Sequence, residues 1–127
     1  MKSVLLVAAG GAIGPVLRFK LSSWILQQTV IWRFPLGTFL VNVIGCCVMG
    51  LLAGFALRDS SFTPHARLFL MTGILGGFTT FSAFGLETFH LLRRDEVGVA
   101  LIYVVLSLIC SLLALWAGFS ATHDFNR

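Results

Sequence analysis

Charged residues, cysteines and phosphate-binding motifs are all scarce in this sequence, and each shortage excludes or disfavours a class of protein. Only 11% of the 127 residues are charged, whereas 57% are hydrophobic. A typical soluble domain has about 25% charged residues, so this composition excludes an ordinary soluble fold. The three cysteines include no Cys-x-x-Cys pair, which argues against both a disulfide framework and a zinc site. No GxGxxG or GxxxxGKS/T motif occurs either, so nothing predicts nucleotide binding.

Four long apolar segments occupy most of the chain, at roughly residues 4–26, 36–57, 68–92 and 97–119. Each reaches the length of about 20 residues that a helix needs to cross the hydrocarbon core of a bilayer. The first segment continues through Trp24 and Leu26 without an Ala-x-Ala site, which argues against a cleaved signal peptide. We therefore predict an all-α integral membrane protein with a single four-span domain over residues 1–127. We expect no enzymatic activity and, if the source is a bacterium, a place in the inner membrane.

The basic residues lie at the ends of these segments, which decides how the net charge of +4 is interpreted. At span ends, lysine and arginine side chains extend to the lipid headgroups, so we expect a lipid bilayer as partner and no nucleic acid. The side with both termini and the second loop has Lys2, Arg58, Arg67 and Arg127, and the other has Arg18, Lys20, Arg33, Arg93 and Arg94. Four against five gives little positive-inside bias. The chain therefore either inserts in both orientations, which would allow an antiparallel homodimer, or is oriented by another feature such as early insertion of its first span.

A stretch at 76–84, Gly-Gly-Phe-Thr-Thr-Phe-Ser-Ala-Phe, interrupts the third span. In lipid, backbone that leaves a regular helix needs other hydrogen-bond partners, which only surrounding protein or a polar cavity can supply. We therefore predict that the third helix is broken near its middle and that the break is the centre of function. Glycines four residues apart in three spans also predict close helix packing: Gly10 and Gly14, Gly50 and Gly54, and Gly73 and Gly77.

Uncharged polar residues inside the second and fourth spans predict a polar track, because such groups are costly in lipid and usually face an interior. Asn42 is the one strong polar group of the second span. Tyr103, Ser107 and Ser111 recur every four residues, which places three hydroxyls along one side of the fourth helix. A serine in a transmembrane helix can instead bond its own i−4 carbonyl and have no further role. The prediction therefore depends on the three-residue hydroxyl stripe rather than on any single serine.

Phe81, Phe84 and Glu87 follow the interruption at helical spacing and so share one face. The positive edge of a phenyl ring can attract a small anion when it is turned towards a path. The alternative is that both rings only pack against neighbouring helices. Arg18 and Glu87 are the charges of opposite sign that lean into the spans. They either lie in a vestibule of such a path or form a structural ion pair.

Several motifs together resemble the Fluc (CrcB) family of fluoride channels. They are Gly10-Gly11-Ala12-Ile13-Gly14 with Arg18, Pro35-Leu36-Gly37-Thr38 with Val41-Asn42 and Gly45, and Gly73-Ile74-Leu75-Gly76-Gly77-Phe78-Thr79-Thr80-Phe81-Ser82-Ala83-Phe84 with Glu87. The third motif is specific, and the resemblance extends over nearly the whole chain. It implies a dual-topology homodimer in which two narrow pathways let fluoride leave the cell passively.

The resemblance also implies which residues form the site. An amide, two phenyl rings and four hydroxyls would line the fluoride pathway: Asn42, Phe81, Phe84, Ser82, Tyr103, Ser107 and Ser111. The backbone carbonyls of Gly76 and Thr79 would bind a structural sodium ion at the dimer centre. The family often has threonine where this chain has Ala83, which leaves Ser82 as the only side-chain hydroxyl between the two rings.

Two other functions are compatible with a small four-span protein. A proton-coupled exporter of cationic compounds also uses dual-topology dimers, but it needs a carboxylate in the bundle that exchanges protons for cations. Glu87 is the one candidate, and it lies near the end of its span. A membrane subunit that only scaffolds a partner needs neither a polar track nor a broken helix, so both features favour a channel.

Overall fold

The computed structural model describes residues 1–29, 33–59 and 62–123. Three of its four spans are single helices: α1 is Lys2–Gln28, α2 is Leu36–Arg58, and the last helix, α6, is Val97–Thr122. All four spans are long and apolar enough to cross a membrane. No β-strand occurs in the described ranges. The prediction of an all-α chain with four spans is confirmed.

The third span, Pro64–Arg93, is divided into several elements. It comprises α3 (Pro64–Arg67), a π-helix (Leu68–Leu75), α4 (Gly76–Phe78) and α5 (Phe81–Arg93). Thr79 and Thr80, between α4 and α5, have extended backbone. The predicted break near the middle of the third helix is therefore confirmed. Wide π-helical turns are rare and often occur near functional sites, and this one ends just before the break.

The third span begins four residues before its apolar segment, because capping rather than hydropathy sets its start. The Thr63 hydroxyl accepts a hydrogen bond from the backbone N–H of Ala66 at 3.2 Å, and Pro64 occupies the first helical position. Proline is favoured there, since its missing N–H would have no helical partner anyway. The polar turn with His65 and Arg67 is thus helical although it is not apolar.

Two close seams join the four spans in pairs: α1 packs on the first half of the third span, and α2 packs on α6. A Cβ atom on Gly14 of α1 would overlap the carbonyl oxygen of Ile74. One on Gly118 of α6 would overlap the carbonyl oxygen of Cys47 on α2. Only glycine permits such backbone approach, which in lipid increases van der Waals contact between helices. The prediction of close packing at the glycine pairs is confirmed, since Gly10 and Gly50 show the same type of contact.

The interior is small and lies on both sides of the break. One buried cluster contains Val41, Leu75 and Phe78, and the other contains Leu91, Ala100 and Tyr103. Many large apolar side chains of α1 and α6 point outward instead, as expected for surfaces that meet lipid or a second protein chain. The second cluster places the hydroxyl of a buried tyrosine next to α5, where it contributes to the site.

A tight turn joins α5 to α6. The N–H of Asp95 donates to the carbonyl of Leu92 at 3.1 Å, and the N–H of Glu96 donates to the carbonyl of Leu91 at 3.0 Å. Asp95 has a positive φ of 59°, in the left-handed region that aspartate tolerates better than most residues. The turn thereby places the end of α5, with Arg93 and Arg94, at the same end of the molecule as the start of α2.

Candidate functional site

The break in the third span is built from Thr79 and Thr80. The N–H of Thr79 makes the last helical bond of the preceding helix, to the carbonyl of Leu75 at 3.0 Å. The Thr79 hydroxyl donates to the same carbonyl at 2.9 Å. Thr80 then starts α5 as its N-cap, since its hydroxyl accepts from the N–H of Ala83 at 3.2 Å. A threonine side chain is a favoured N-cap because it satisfies an N–H that has no partner within the helix.

Asn42 on α2 bridges the break through both ends of its amide. Its Oδ1 accepts from the N–H of Thr80 at 2.8 Å, and its Nδ2 donates to the carbonyl of Thr80 at 3.0 Å. The two bonds fix the orientation of the amide, because a backbone N–H only donates and a backbone carbonyl only accepts. The side chain thus satisfies two backbone groups that the interruption removes from the helix. Nδ2 has a second hydrogen that this pairing does not use.

A cavity of about 260 Å³, which we call the ring cavity, lies beside the break between α2, α5 and α6. It is lined by Asn42, Cys46, Thr79, Thr80, Phe81, Phe84, Ser107, Leu108, Ser111 and Leu112. The structure therefore brings together five of the seven residues predicted to line a pathway. The rings of Phe81 and Phe84 lie 5.5 Å apart between centroids with their planes tilted by 42°.

Ser107 presents the most informative polar atom of the ring cavity. The residue is only 6% exposed. Its Oγ has no hydrogen-bond partner within residues 1–29, 33–59 and 62–123. It therefore does not use the i−4 carbonyl that many transmembrane serines bond. A buried hydroxyl without a partner costs about 1–3 kcal/mol, and this one belongs to a residue that lines the ring cavity.

Cys46 and Thr80 line the ring cavity although sequence reasoning did not assign them to it. Cys46 follows Asn42 by four residues, so the two share one side of α2. That spacing was the available signal, but a cysteine inside an apolar helix looks like a small packing residue. In the sequence nothing distinguishes Thr80 from its neighbour Thr79. The structure does, because Thr80 and not Thr79 bonds the side chain of Asn42.

Tyr103 and Ser82 were predicted to line the pathway but do not line the ring cavity. Tyr103 is fully buried, and its ring lies 5.2 Å from that of Phe84. Its hydroxyl donates to Oε2 of Glu87 at 2.7 Å. Ser82 is exposed, with its Oγ 3.3 Å from that of Thr80. Ala83 contributes its backbone N–H to the helix cap and is absent from the cavity lining.

Arg18 and Glu87 find separate partners, so the structure gives no support to an ion pair between them. The guanidinium of Arg18 donates to the backbone carbonyl of Thr79 at 3.2 Å. Glu87 accepts from the hydroxyl of Thr38 at 2.7 Å and from Tyr103 at the same distance. The two hydroxyls thus occupy one oxygen each of the Glu87 carboxyl group. Arg18 lies at the break, whereas Glu87 lies further along α5, beside Tyr103.

The carbonyls predicted to bind sodium lie at the end of α4. In an uninterrupted helix the N–H of Thr80 would bond the carbonyl of Gly76, but here it donates to Asn42. Gly76 is exposed on the single chain. The carbonyl of Thr79 accepts the bond from Arg18 and has a second lone pair. The two residues thus place carbonyl oxygens at a helix C-terminus, where partial negative charge collects.

Known proteins resemble this chain over nearly all of its length. A family model described as CrcB-like protein, Camphor Resistance (CrcB), matches residues 5–119. The fluoride-specific ion channel FluC of Methylobacillus flagellatus is 54% identical over 119 residues, which cover 94% of this chain and 93% of that protein. The protein of the same name from Rhizobium meliloti is 46% identical over 118 residues, covering 93% of this chain and 94% of the relative. Because the family model and these relatives extend across all four spans, the chain belongs to the CrcB family of membrane proteins.

Proposed function

We propose that the protein is a fluoride-selective channel through which fluoride leaves the cytoplasm passively across the bacterial inner membrane. The similar proteins of Methylobacillus flagellatus and Rhizobium meliloti, both named fluoride-specific ion channels, support this function. The single observation that carries it is the buried, unpartnered hydroxyl of Ser107 in the ring cavity. Passive conduction needs no catalytic group, and the protein is not an enzyme.

The ring cavity offers the donors that a fluoride ion requires. Fluoride is small and tightly hydrated, so a selective path must replace its water with donors at close range. The hydroxyls of Ser107 and Ser111 and the second N–H of Asn42 are such donors. The edges of Phe81 and Phe84 add positive potential without offering a group that could compete for the donors. Chloride is larger and less strongly attracted, and would gain less from the same groups.

Tyr103 and Ser82 complete the proposed pathway outside the ring cavity. The Tyr103 ring lies beside Phe84 at 5.2 Å between centroids, so an anion that passes Phe84 next meets the tyrosine and Glu87. Ser82 lies next to Thr80 on the exposed side of α5. In this position its hydroxyl would act in a pathway only when another protein surface covers it.

A homodimer accounts for the exposure of the site in a single chain. Phe81 lines the ring cavity and yet is 79% exposed. A second copy would cover Phe81, Ser82 and Gly85 on α5, and a cavity at that surface would then become an enclosed path. The balanced basic residues at the two ends of the spans favour a pair of opposite orientations. Symmetry would give the dimer two such pathways.

A structural sodium ion at the centre of this dimer fits the carbonyls of Gly76 and Thr79. Hard oxygen ligands suit a hard cation. Each chain would contribute two such oxygens. The Gly76 carbonyl loses its helical donor because the N–H of Thr80 bonds Asn42. The Thr79 carbonyl loses its donor because the N–H of Ala83 bonds the Thr80 hydroxyl. Sodium would supply positive charge that holds the two broken helices together. In the single chain, the Thr79 carbonyl also accepts a hydrogen bond from Arg18.

A proton-coupled exporter of cations receives no comparable support. Its mechanism needs a carboxylate that alternates between a proton and a cation, and both oxygens of Glu87 are bonded by the hydroxyls of Thr38 and Tyr103. The relatives that cover the whole bundle are named as channels rather than exporters.

Fluoride efflux from liposomes that contain the purified protein tests the proposed function. We expect fluoride to leave without ATP or a proton gradient and chloride to be retained. Ser107→Ala should reduce the efflux rate about tenfold or more, since a hydrogen bond to a charged group is worth roughly 1.5–3 kcal/mol. Phe81→Ile, which removes the ring edge, should also reduce it.

Ser120→Ala is the matched control for this experiment. Ser120 is on the same helix, and its buried Oγ also finds no partner in the described part of the chain, but it does not line the ring cavity. Its replacement should leave fluoride efflux unchanged. Efflux of chloride at the rate of fluoride would overturn the proposed selectivity, and equal effects of the two serine variants would remove the role assigned to Ser107.

A further inference from the structure

A second cavity, the outer cavity, lies at the end of the molecule where the α5–α6 turn approaches the start of α2. It has a volume of about 320 Å³, and none of the residues that line the ring cavity lines it. Its wall includes the basic side chains of Arg33, His90 and Arg94 together with Thr38 and Glu87. The three basic residues are exposed, whereas Thr38 is buried, so the cavity runs inward from a cationic rim to a polar floor.

The floor of the outer cavity adjoins the ring cavity through a single layer of side chains. Glu87 and Thr38 form the floor and are joined by a hydrogen bond of 2.7 Å. Behind them Tyr103 donates to Glu87, and the Tyr103 ring contacts Phe84, which lines the ring cavity. An anion that leaves the ring cavity past Phe84 therefore reaches the outer cavity once it has passed this layer.

The basic residues of the rim offset the negative charge of the carboxylate on the floor of the outer cavity. A carboxylate repels an approaching anion, and the repulsion increases as the separation falls. Arg33 and Arg94 bear permanent positive charge and line the same cavity as Glu87. The acids of the neighbouring turn, Asp95 and Glu96, do not line it. Two guanidinium groups against one carboxylate leave the outer cavity with net positive charge.

We propose that the outer cavity is an anion-collecting site, in which Arg33 and Arg94 bind small inorganic anions from the aqueous phase before fluoride enters the pathway. This inference rests on the proposed fluoride channel for its role in conduction. The site itself selects by charge, because guanidinium groups bind oxyanions at least as readily as halides. Sulfate, which carries two charges and is too large for a fluoride path, should therefore occupy the outer cavity and hinder the entry of fluoride.

The test compares the double variant Arg33→Gln, Arg94→Gln with the wild-type chain in liposomes. At low ionic strength and low fluoride concentration, the double variant should conduct fluoride roughly tenfold more slowly, because a cationic cleft raises the local concentration of anions. The difference should disappear in concentrated salt, which screens these charges. At constant ionic strength, sulfate should inhibit the wild-type chain and have little effect on the double variant. The variant Arg33→Lys, Arg94→Lys keeps the charge and should retain most of the wild-type behaviour.

Lys20→Gln is the matched control, since it removes a charge at the same end of the molecule from a residue that does not line the outer cavity. It should leave the flux and its sulfate sensitivity unchanged. If the double variant and the control conduct fluoride at the same rate at every salt and sulfate concentration, the proposal of an anion-collecting site is wrong.

Calorimetric titration of sulfate into the detergent-solubilised protein separates this inference from the proposed function. Binding that the glutamine double variant loses supports the site even if the wild-type chain conducts no fluoride. Absence of sulfate binding to a wild-type chain that conducts fluoride overturns the site and leaves the channel intact.

Discussion

Asn42 is the residue whose side chain both completes the broken helix and borders the ring cavity. Its amide bonds the N–H and the carbonyl of Thr80, at 2.8 and 3.0 Å, and leaves one hydrogen for the cavity. Ser107 differs, since it lines the same cavity but its hydroxyl bonds nothing in the described residues. The two residues should therefore respond differently when they are replaced.

Replacement of Asn42 by alanine should reduce both stability and conduction. It leaves the N–H and the carbonyl of Thr80 without their partner, and each buried polar group left unsatisfied costs about 1–3 kcal/mol. Thermal unfolding in detergent, followed by tryptophan fluorescence, should show a clear loss for Asn42→Ala and little change for Ser107→Ala. Cys46→Ala is the control, because Cys46 lines the same cavity one turn further along α2. An Asn42→Ala variant that unfolds at the wild-type temperature would contradict the bridging role.

The helices were predictable because each depends on local features of the sequence. Apolar length gave the four spans, and the Gly-Gly-Phe-Thr-Thr run gave the break, which the structure places at Thr79 and Thr80. The start at Pro64 was missed, since hydropathy does not detect a polar first turn. Helix spacing predicts which residues of one helix share a face, but it gives no information about the residues of other elements that contact that face.

The three hydroxyls of α6 show what residue spacing along one helix does not predict. Tyr103, Ser107 and Ser111 do share one side of the helix, as their spacing predicted. Ser107 and Ser111 line the ring cavity, whereas Tyr103 is engaged by Glu87 of α5. The division depends on where α5 resumes after the break, which is a property of the packed bundle. For the same reason the partners of Arg18 and Glu87 could not be predicted from their charges.

The seam between α1 and the third span should be intolerant of even one added methyl group. A Cβ on Gly14 would overlap the carbonyl of Ile74 and come within 2.7 Å of the backbone nitrogen of Phe78, and neither can move without shifting the helix. Overpacking of this kind typically costs about 1–3 kcal/mol. Gly14→Ala should therefore lower the unfolding temperature and reduce fluoride efflux, because Phe78 immediately precedes the break.

Gly11→Ala is the control for the seam, since a Cβ there would have no atom within 4 Å. It should keep or slightly raise stability, because alanine favours a helix by about 1 kcal/mol over glycine. Equal destabilisation by Gly14→Ala and Gly11→Ala would show that helix propensity, rather than the seam, determines the response.

At the scale of the whole molecule, a single chain forms only part of the proposed site. Phe81 is 79% exposed while it lines the ring cavity, and Gly76, the first residue of α4, is exposed as well. The homodimer proposed above would cover both of these residues. The basic residues at the two ends of the spans number four against four once Arg18, which lies at the break, is left out, and this balance permits a partner in the opposite orientation.

Charge-biased variants should therefore lose function singly and regain it together. Lys20→Gln and Arg93→Gln with Ser3→Lys shift the balance of these span-end residues to five against two, and Lys2→Gln with Arg58→Gln shifts it to two against four. By the positive-inside rule each variant should adopt one orientation, opposite to that of the other. Fluoride efflux from cells should be low for either variant alone and restored on co-expression, with reporters fused to the C-terminus confirming the orientations. Wild-type efflux from a variant that occupies one orientation only would exclude the antiparallel dimer, because no oppositely oriented partner would then be present to cover Phe81 and complete the path.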